Sequence, residues 1–267
     1  MKLKTGVADN RYTERIRHFF ERNDLESEII TLSEAQDYAG ALRRGDVHTV
    51  MMPLAEAPFF EQTDMTIAAL ADRIAPGYCL LARNESIDAT QILKVRKGGR
   101  VSVDSVLFTA LLREIRPDLE FIRTESGKNI SGVPDSDAFC IPEDSVSALP
   151  DISNFRKISL NPFEFPPEPG SGVLAIVCLR DDMETRRKLR TIHRSEVSVC
   201  TNVERSVLKA HEIHRKNTGV LCVRDDNGYY HASAVFATDE EVRRARISSG
   251  THAGLAGELA KKIYGQF

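Results

Sequence analysis

The chain has 267 residues, and its 36 Lys and Arg residues nearly balance 39 Asp and Glu residues, for a formal net charge of -3. At ~100–200 residues per domain the length predicts two or three domains, and the charge balance disfavours a dedicated nucleic-acid binder, which usually has a basic face. No apolar run approaches the ~20 residues of a membrane helix, and no apolar segment follows the N-terminal lysines. We therefore expect a cytoplasmic protein without a nucleic-acid or membrane partner, whose five cysteines are reduced. Their spacing matches no zinc motif, so no metal site is predicted.

The first part of the chain alternates strand-like and helix-like segments. Strands are predicted at Leu3–Val7, Glu28–Leu32, Val47–Met52, Thr66–Ala71 and Tyr78–Ala82, and helices at Thr13–Arg22 and Ser33–Arg43. In the first helix, Ile16, Phe19 and Phe20 recur at helical spacing. The β-α-β-α-β order predicts a parallel sheet with helices on both faces.

A second, smaller α/β unit is predicted between Arg100 and about Leu160. Its predicted strands are Arg100–Val103, Leu119–Arg123 and Ala138–Ile141, and its helix is Ser105–Ile115. The following segment, Asn161–Gly172, contains four prolines and two glycines. Such a composition is typical of a hinge or a crossing loop.

The last part of the chain predicts a third unit of αββα type. An apolar strand at Val173–Leu179 and a basic helix at Asp182–Thr191 lead into a helix at Val199–Ala210, strands at Val220–Val223 and Tyr229–Ala237, and a helix at His252–Ile263. Asn227-Gly228 between apolar runs is a strong hairpin signal. We interpret the arginines of the basic helix, and those at Arg243, Arg244 and Arg246, as solvated faces.

Four short segments carry a further signal: Ala41–Pro58, Arg116-Pro-Asp-Leu119, Gly170–Asp182 and Val203-Glu204-Arg205. In sequence and in order they resemble segments of hydroxymethylbilane synthase, also called porphobilinogen deaminase. Gly170–Asp182 (GSGVLAIVCLRDD) is similar to that family's GQGAxGIExRxDD, and Ala41–Pro58 is similar to LLxGxIDIAVHSLKDVP. The resemblance extends over nearly the whole chain.

The resemblance implies an α/β fold of three small domains. The first two would be like two-lobed (type 2) binding-protein domains, and the third would be α+β. Domain 1 would be residues 1–96, completed by roughly 164–190 after the chain returns, domain 2 would be residues 97–163, and domain 3 would be residues 191–267. Hinging is expected near Lys97 and Pro167.

The family enzyme condenses four porphobilinogens head to tail. It needs a carboxylate at the pyrrole nitrogens, arginines for the substrate carboxylates, and a cysteine thiolate that carries a dipyrromethane primer. In this chain Glu56 lies at the position of the family's catalytic aspartate, which makes it the candidate catalytic residue. The candidate substrate contacts are Asn10 at the family's serine position, Ser105 at a predicted helix start and Lys128 in a glycine-containing loop.

Most other charged groups of the family are replaced. The replaced cationic positions are, in chain order, Ala8, Ala55, Leu107, Phe108, Glu125, Ser131 and a position near Ala148. Each charge-assisted hydrogen bond contributes ~1.5–3 kcal/mol, so these replacements remove most of the binding free energy for a polyanionic substrate. The primer cysteine falls at His214 or Arg215, so no dipyrromethane cofactor is expected to attach.

We therefore expect a catalytically degenerate relative of the synthase that binds a pyrrole, a small carboxylate or another protein of tetrapyrrole biosynthesis. Two alternatives stay open. One is an active hydroxymethylbilane synthase, a transferase that condenses four porphobilinogens. The other is a two-lobed small-molecule binding protein with an unrelated ligand.

Overall fold

The computed structural model describes residues 2–7, 10–32, 38–124, 135–149, 151–210 and 216–265. The strands in these ranges are β1 (Leu3–Val7), β2 (Ser27–Thr31), β3 (Thr49–Pro53), β4 (Met65–Leu70), β5 (Tyr78–Arg83), β6 (Arg100–Val103), β7 (Glu120–Arg123), β8 (Ala138–Pro142), β9 (Phe155–Ser159), β10 (Leu174–Leu179), β11 (Thr218–Arg224), β12 (Tyr230–Ala237) and β13 (Val242–Ser249). The α-helices are α1 (Thr13–Arg22), α2 (Tyr38–Arg44), α3 (Val106–Ile115), α4 (Met183–Arg190), α5 (Ser195–Lys209) and α6 (Leu255–Tyr264).

Every helix in these ranges is too short or too polar to cross a lipid bilayer. The expectation of a cytoplasmic location stays a prediction.

The chain forms two compact units. Unit 1 consists of Met1–Ile74 and Ser171–Ser198, and unit 2 consists of Ala75–Gly170 and Val199–Phe267. Each unit contains one five-stranded sheet, and unit 2 contains a further sheet of three strands.

The two five-stranded sheets share one topology. The strand order is β2-β1-β3-β10-β4 in unit 1 and β7-β6-β8-β5-β9 in unit 2. The first strand of each unit's βαβ run, β1 or β6, pairs in parallel with both of its neighbours. The antiparallel strand of each sheet, β10 or β5, is the first strand that the chain forms after it leaves the other five-stranded sheet. The predicted α/β class, with type 2 binding-protein topology, is confirmed.

The core of unit 1 follows from the predicted amphipathic helix. Ile16, Phe19 and Phe20 on α1 are buried against residues of the sheet such as Met51 and Ile176. The predicted bounds of β1 and α1 are confirmed, and the buried residues of α1 recur at helical spacing.

The three-stranded sheet of unit 2 packs on both of its faces. The order β11-β12-β13 is antiparallel throughout. One face packs on the last two helices, where Val207 of α5 and Leu259 of α6 are fully buried. On β12, Val235 and Ala237 belong to the same hydrophobic cluster as Leu107 of α3. The five-stranded and three-stranded sheets of unit 2 therefore share a core.

The proline-rich segment 161–170 is tied to this core by close backbone contacts. The amide of Val220 donates to the carbonyl of Pro167 at 2.9 Å. A Cβ atom at Gly219 would lie 2.1 Å from the carbonyl oxygen of Pro166. Only glycine permits this approach, so β11 and the segment that crosses over it are in direct contact.

Glu204 of α5 forms a second tie within unit 2. Its side chain is fully buried, and its two carboxylate oxygens accept hydrogen bonds from the amides of Gly170 at 2.9 Å and Cys222 at 2.8 Å. Buried polar groups are stable only when paired in this way. Glu204 thus joins a helix, a strand and the end of the crossing segment.

The structure corrects the sequence predictions at several elements. β5 belongs to the five-stranded sheet of unit 2. The chain therefore passes from unit 1 to unit 2 before Tyr78, earlier than the predicted boundary after residue 96. Strands β9 and β13 were not predicted, and the last part of the chain is αβββα rather than αββα. The division into three domains otherwise stays a prediction. Of the predicted helix at 33–43, α2 is present, and residues 33–37 lie outside the described residues.

Candidate functional site

Two candidate residues of unit 1 lie at one edge of its sheet. β1 and β3 are parallel neighbours, so their carboxyl ends meet at the same edge. Asn10 opens a short 3-10 helix soon after β1, and Glu56 lies in the turn that follows β3. Open α/β sheets bind their ligands at this edge. The fold therefore places the two predicted residues at the same edge of the sheet.

The turn around Glu56 is held by its flanking residues. Leu54 and Ala57 are each 1% exposed, whereas Glu56 is exposed. The amides of Glu56 and Ala57 both donate to the carbonyl of Pro53 at 3.1 Å. The turn thus fixes the backbone at Glu56, which is an exposed residue of unit 1.

Ser105, a candidate in unit 2, is bonded within the protein. It precedes α3 and is only 5% exposed. Its hydroxyl donates to the carbonyl of Lys216 at 3.2 Å, and its own carbonyl accepts from the amide and the hydroxyl of Thr109. Ser105 therefore ties the start of α3 to the segment that leads into β11.

Two positions that carry arginines in the resembling family lie in the hydrophobic core here. Leu107 is 1% exposed and Phe108 is 0% exposed. The Phe108 ring stacks on the ring of Tyr78, with centroids 3.9 Å apart. Burial also raises the pKa of Tyr78 well above its ordinary value. Neither Leu107 nor Phe108 is available to contact a ligand.

All five cysteines of the chain are buried. Burial raises the pKa of Cys79 to about 12 and that of Cys178 to about 11, and it raises that of Cys140 as well. The thiolate is the nucleophilic form of cysteine, and apolar burial suppresses it. Cys222, close in sequence to the expected primer position, is a fully buried residue of β11.

The remaining predicted site residues lie outside the described residues. These are Lys128, His214 and Arg215. Across the part of the chain that is described, no group of three or more His, Cys, Asp or Glu side chains is placed to hold a metal ion.

One polar cluster was missed by the sequence analysis. His231 on β12 lies between Asp225, in the hairpin turn, and Ser248 on β13, next to a cavity of about 490 Å³. Asp225 and His231 flank the predicted Asn227-Gly228 turn, so the sequence indicates that these two residues are close together. Ser248 lies on the strand that was not predicted, so its proximity could not be read from the sequence.

Comparison with known proteins gives several distant relatives and no matching family model. A porphobilinogen deaminase of Limosilactobacillus reuteri is 25% identical over 173 residues, which cover 63% of this chain and only 55% of that protein. A porphobilinogen deaminase of Sorangium cellulosum is 26% identical over 238 residues, 82% of this chain and 79% of the relative. A probable porphobilinogen deaminase of Ignicoccus hospitalis is 27% identical over 248 residues.

Similar solved structures include a nutrient binding protein of Burkholderia cenocepacia bound to methionine, with a TM-score of 0.45 and 14% identity. The match covers 73% of this chain and 93% of the nutrient binding protein. A periplasmic substrate-binding protein of an ABC transporter from Coxiella burnetii gives a TM-score of 0.44 at 15% identity, covering 73% of this chain and 94% of that one. In sequence, the chain is a distant relative of proteins named porphobilinogen deaminase.

Proposed function

We propose that this protein is a diverged relative of porphobilinogen deaminase that binds a small pyrrole or carboxylate molecule and does not condense porphobilinogen. The observation that carries the proposal is the burial of all five cysteines. A covalent primer requires an accessible thiolate, and each cysteine of this chain is buried. The dipyrromethane of the resembling family then has no sulfur to which it could attach.

The core position of Leu107 and Phe108 supports the same proposal. A growing polypyrrole carries many carboxylates, which arginines hold by bidentate hydrogen bonds. Here two of the corresponding positions are apolar and fully buried. Their side chains stabilise unit 2, and they contribute no positive charge to a binding site.

The edge of the unit 1 sheet supports a small ligand. Glu56 is an exposed residue, and a carboxylate accepts hydrogen bonds from N–H donors such as that of a pyrrole. Asn10 lies at the same edge of the sheet. A carboxylate acceptor at this edge favours a ligand that has an N–H donor, such as a single pyrrole ring.

The test of the missing reaction is intact-mass spectrometry after incubation with porphobilinogen, with an active deaminase as the positive control. We expect the mass of the protein to stay unchanged and no porphobilinogen to be consumed. A mass increase by whole pyrrole units, together with ammonia release, would show an active synthase and refute the proposal.

The test of the ligand is a thermal shift with porphobilinogen and with pyrrole-2-carboxylate, since a ligand that binds only the folded state raises the Tm with concentration. Glu56→Gln should weaken the shift caused by a pyrrole N–H donor, because it removes the charged acceptor. Glu28→Gln, on the exposed side of β2, is the matched control and should leave the shift intact. Tight binding of an unrelated metabolite, with no response to either pyrrole, would favour an unrelated binding protein.

A further inference from the structure

The hairpin β11-β12 and the neighbouring strand β13 bring an acid, an imidazole and a hydroxyl into one line. The Ser248 hydroxyl lies 2.8 Å from Nδ1 of His231, and the Asp225 carboxylate lies 3.1 Å from Nε2 of the same ring. His231 and Ser248 are directly opposite each other in the β12–β13 pairing. Both distances are those of good hydrogen bonds.

The carboxylate fixes the direction of both hydrogen bonds. The hydrogen bond from His231 holds the pKa of Asp225 below its ordinary value, so the group is ionised and can only accept. Nε2 of a neutral His231 must therefore carry the ring proton. Nδ1 then has the free lone pair, and the Ser248 hydroxyl donates to it.

This orientation is the one that activates a nucleophile. A hydroxyl within hydrogen-bond reach of a base, where the base is oriented by a third group, is the signature of nucleophilic catalysis. The order of the ring nitrogens is inverted relative to serine proteases, but the transfer of a proton from hydroxyl to imidazole is the same.

His231 and Ser248 line a cavity of about 490 Å³ in unit 2, and Asp225 contacts His231. Phe163, Val223, Ala232 and Ile247 give its wall an apolar character. Arg246, also in the wall, is held by Glu164 at 2.7 Å and donates to the carbonyl of Phe163 at 3.1 Å. The cavity thus combines space for an apolar group with a fixed positive charge.

We propose that Ser248 is the nucleophile of a second site, which transfers the acyl group of small apolar esters. The Ser248 oxygen attacks the ester carbonyl while its proton passes to Nδ1 of His231. The negative oxygen of the tetrahedral intermediate is stabilised by the Arg246 guanidinium. The C–O bond to the leaving alcohol breaks, and the alcohol takes the proton from His231.

The acyl group is then removed by water. Water loses one proton to His231 and attacks the acyl-serine; the C–O bond to Ser248 breaks, and the serine oxygen recovers the proton. The balance is one ester and one water in, one acid and one alcohol out. This second site does not depend on the proposed pyrrole ligand, so the result of the thermal-shift test does not affect it.

The test uses the full chain and a small alkyl fluorophosphonate, which labels activated serines, read by intact mass and peptide mapping. Wild-type protein should gain one adduct on Ser248, and Ser248→Ala should lose it. Ser249→Ala is the matched control, because Ser249 points to the other face of β13 and its hydroxyl accepts from Thr251. It should label at the wild-type rate.

A third variant separates activation from mere stabilisation of the hairpin. In Asp225→Asn the amide can donate to Nε2, so His231 should switch to the Nδ1-protonated tautomer, visible by ¹⁵N NMR. The labelling rate should then fall about 10²-fold or more, the range for loss of general-base help, with the Tm within a few degrees of wild type. The proposal is overturned if wild-type protein is not labelled while a known serine hydrolase is, if Ser248→Ala labels at the wild-type rate, or if the tautomer switches without a change in rate.

Discussion

Phe108→Arg tests whether this position is core or ligand-facing. The side chain is 0% exposed and stacks on Tyr78 at 3.9 Å. Removing a buried phenylalanine costs about 3–5 kcal/mol, and losing the aromatic pair adds about 0.5–1.5 kcal/mol. The surrounding cluster is apolar, so the new charge adds a further desolvation cost of several kcal/mol. Domain stabilities are about 5–15 kcal/mol, so unit 2 should unfold or become marginal.

The assay is urea unfolding followed by circular dichroism, with far-UV spectra taken in buffer. Ile115→Arg is the matched control on the same helix. Ile115 is 39% exposed at the last position of α3, where a cation interacts favourably with the helix dipole. This control should change stability by less than about 1 kcal/mol. If Phe108→Arg folds with the stability of Ile115→Arg, the position is open to solvent and the support that it gives to the proposed function is lost.

Three further substitutions probe the ties within unit 2. Glu204→Gln replaces an acceptor oxygen by a donor and leaves one buried amide unpaired, so we expect a loss of about 1–3 kcal/mol in urea unfolding, against little change for a surface Glu→Gln control. Gly219→Ala places a Cβ against Pro166, which should cost about 1–3 kcal/mol; an unchanged Tm would contradict the close approach. The hydrogen bond from Arg116 holds the pKa of Asp118 well below its ordinary value. The stabilisation from that pair is therefore present above the unfolded pKa of about 3.9 and fades as pH falls below it. Asp118→Asn should have a lower urea midpoint than wild type at pH 7, and the gap should narrow at pH 3; a gap that is equal at both pH values would refute this assignment.

The regular part of the fold could be predicted from the sequence, and two edge strands could not. β9 and β13 each lie at the edge of a sheet. Edge strands need only one buried face and often carry charges. In β13, Ala245 is buried, whereas Arg244 pairs with Glu114 and Arg246 pairs with Glu164. From the sequence these arginines are interpreted as a solvated face. Their ion-pair partners are distant in the sequence, so the pairs could not be predicted.

The candidate site shows the same division between local and distant information. The turn that holds Glu56 follows its strand directly, so its place at a sheet edge could be expected. Leu107 and Phe108 lie on the predicted helix of unit 2, but a single sequence does not show that both are fully buried. The cluster at His231 depends on the register between β12 and β13, which a single sequence does not determine when a strand is missed.

The segments through which this chain resembles the deaminase family have structural roles here. Glu204 pairs two buried amides, Asp118 accepts from Arg116 and from the amide of Gly98, and Asp182 accepts from the amide of Thr185 at the start of α4. Glu204 satisfies two buried amides, and Asp118 and Asp182 fix local backbone turns by accepting from main-chain amides. The replaced positions, in contrast, are those that in the resembling family serve substrate or primer. The proposed function predicts this division, because a scaffold that binds a different ligand still needs the residues that stabilise the fold and no longer needs those that serve the condensation.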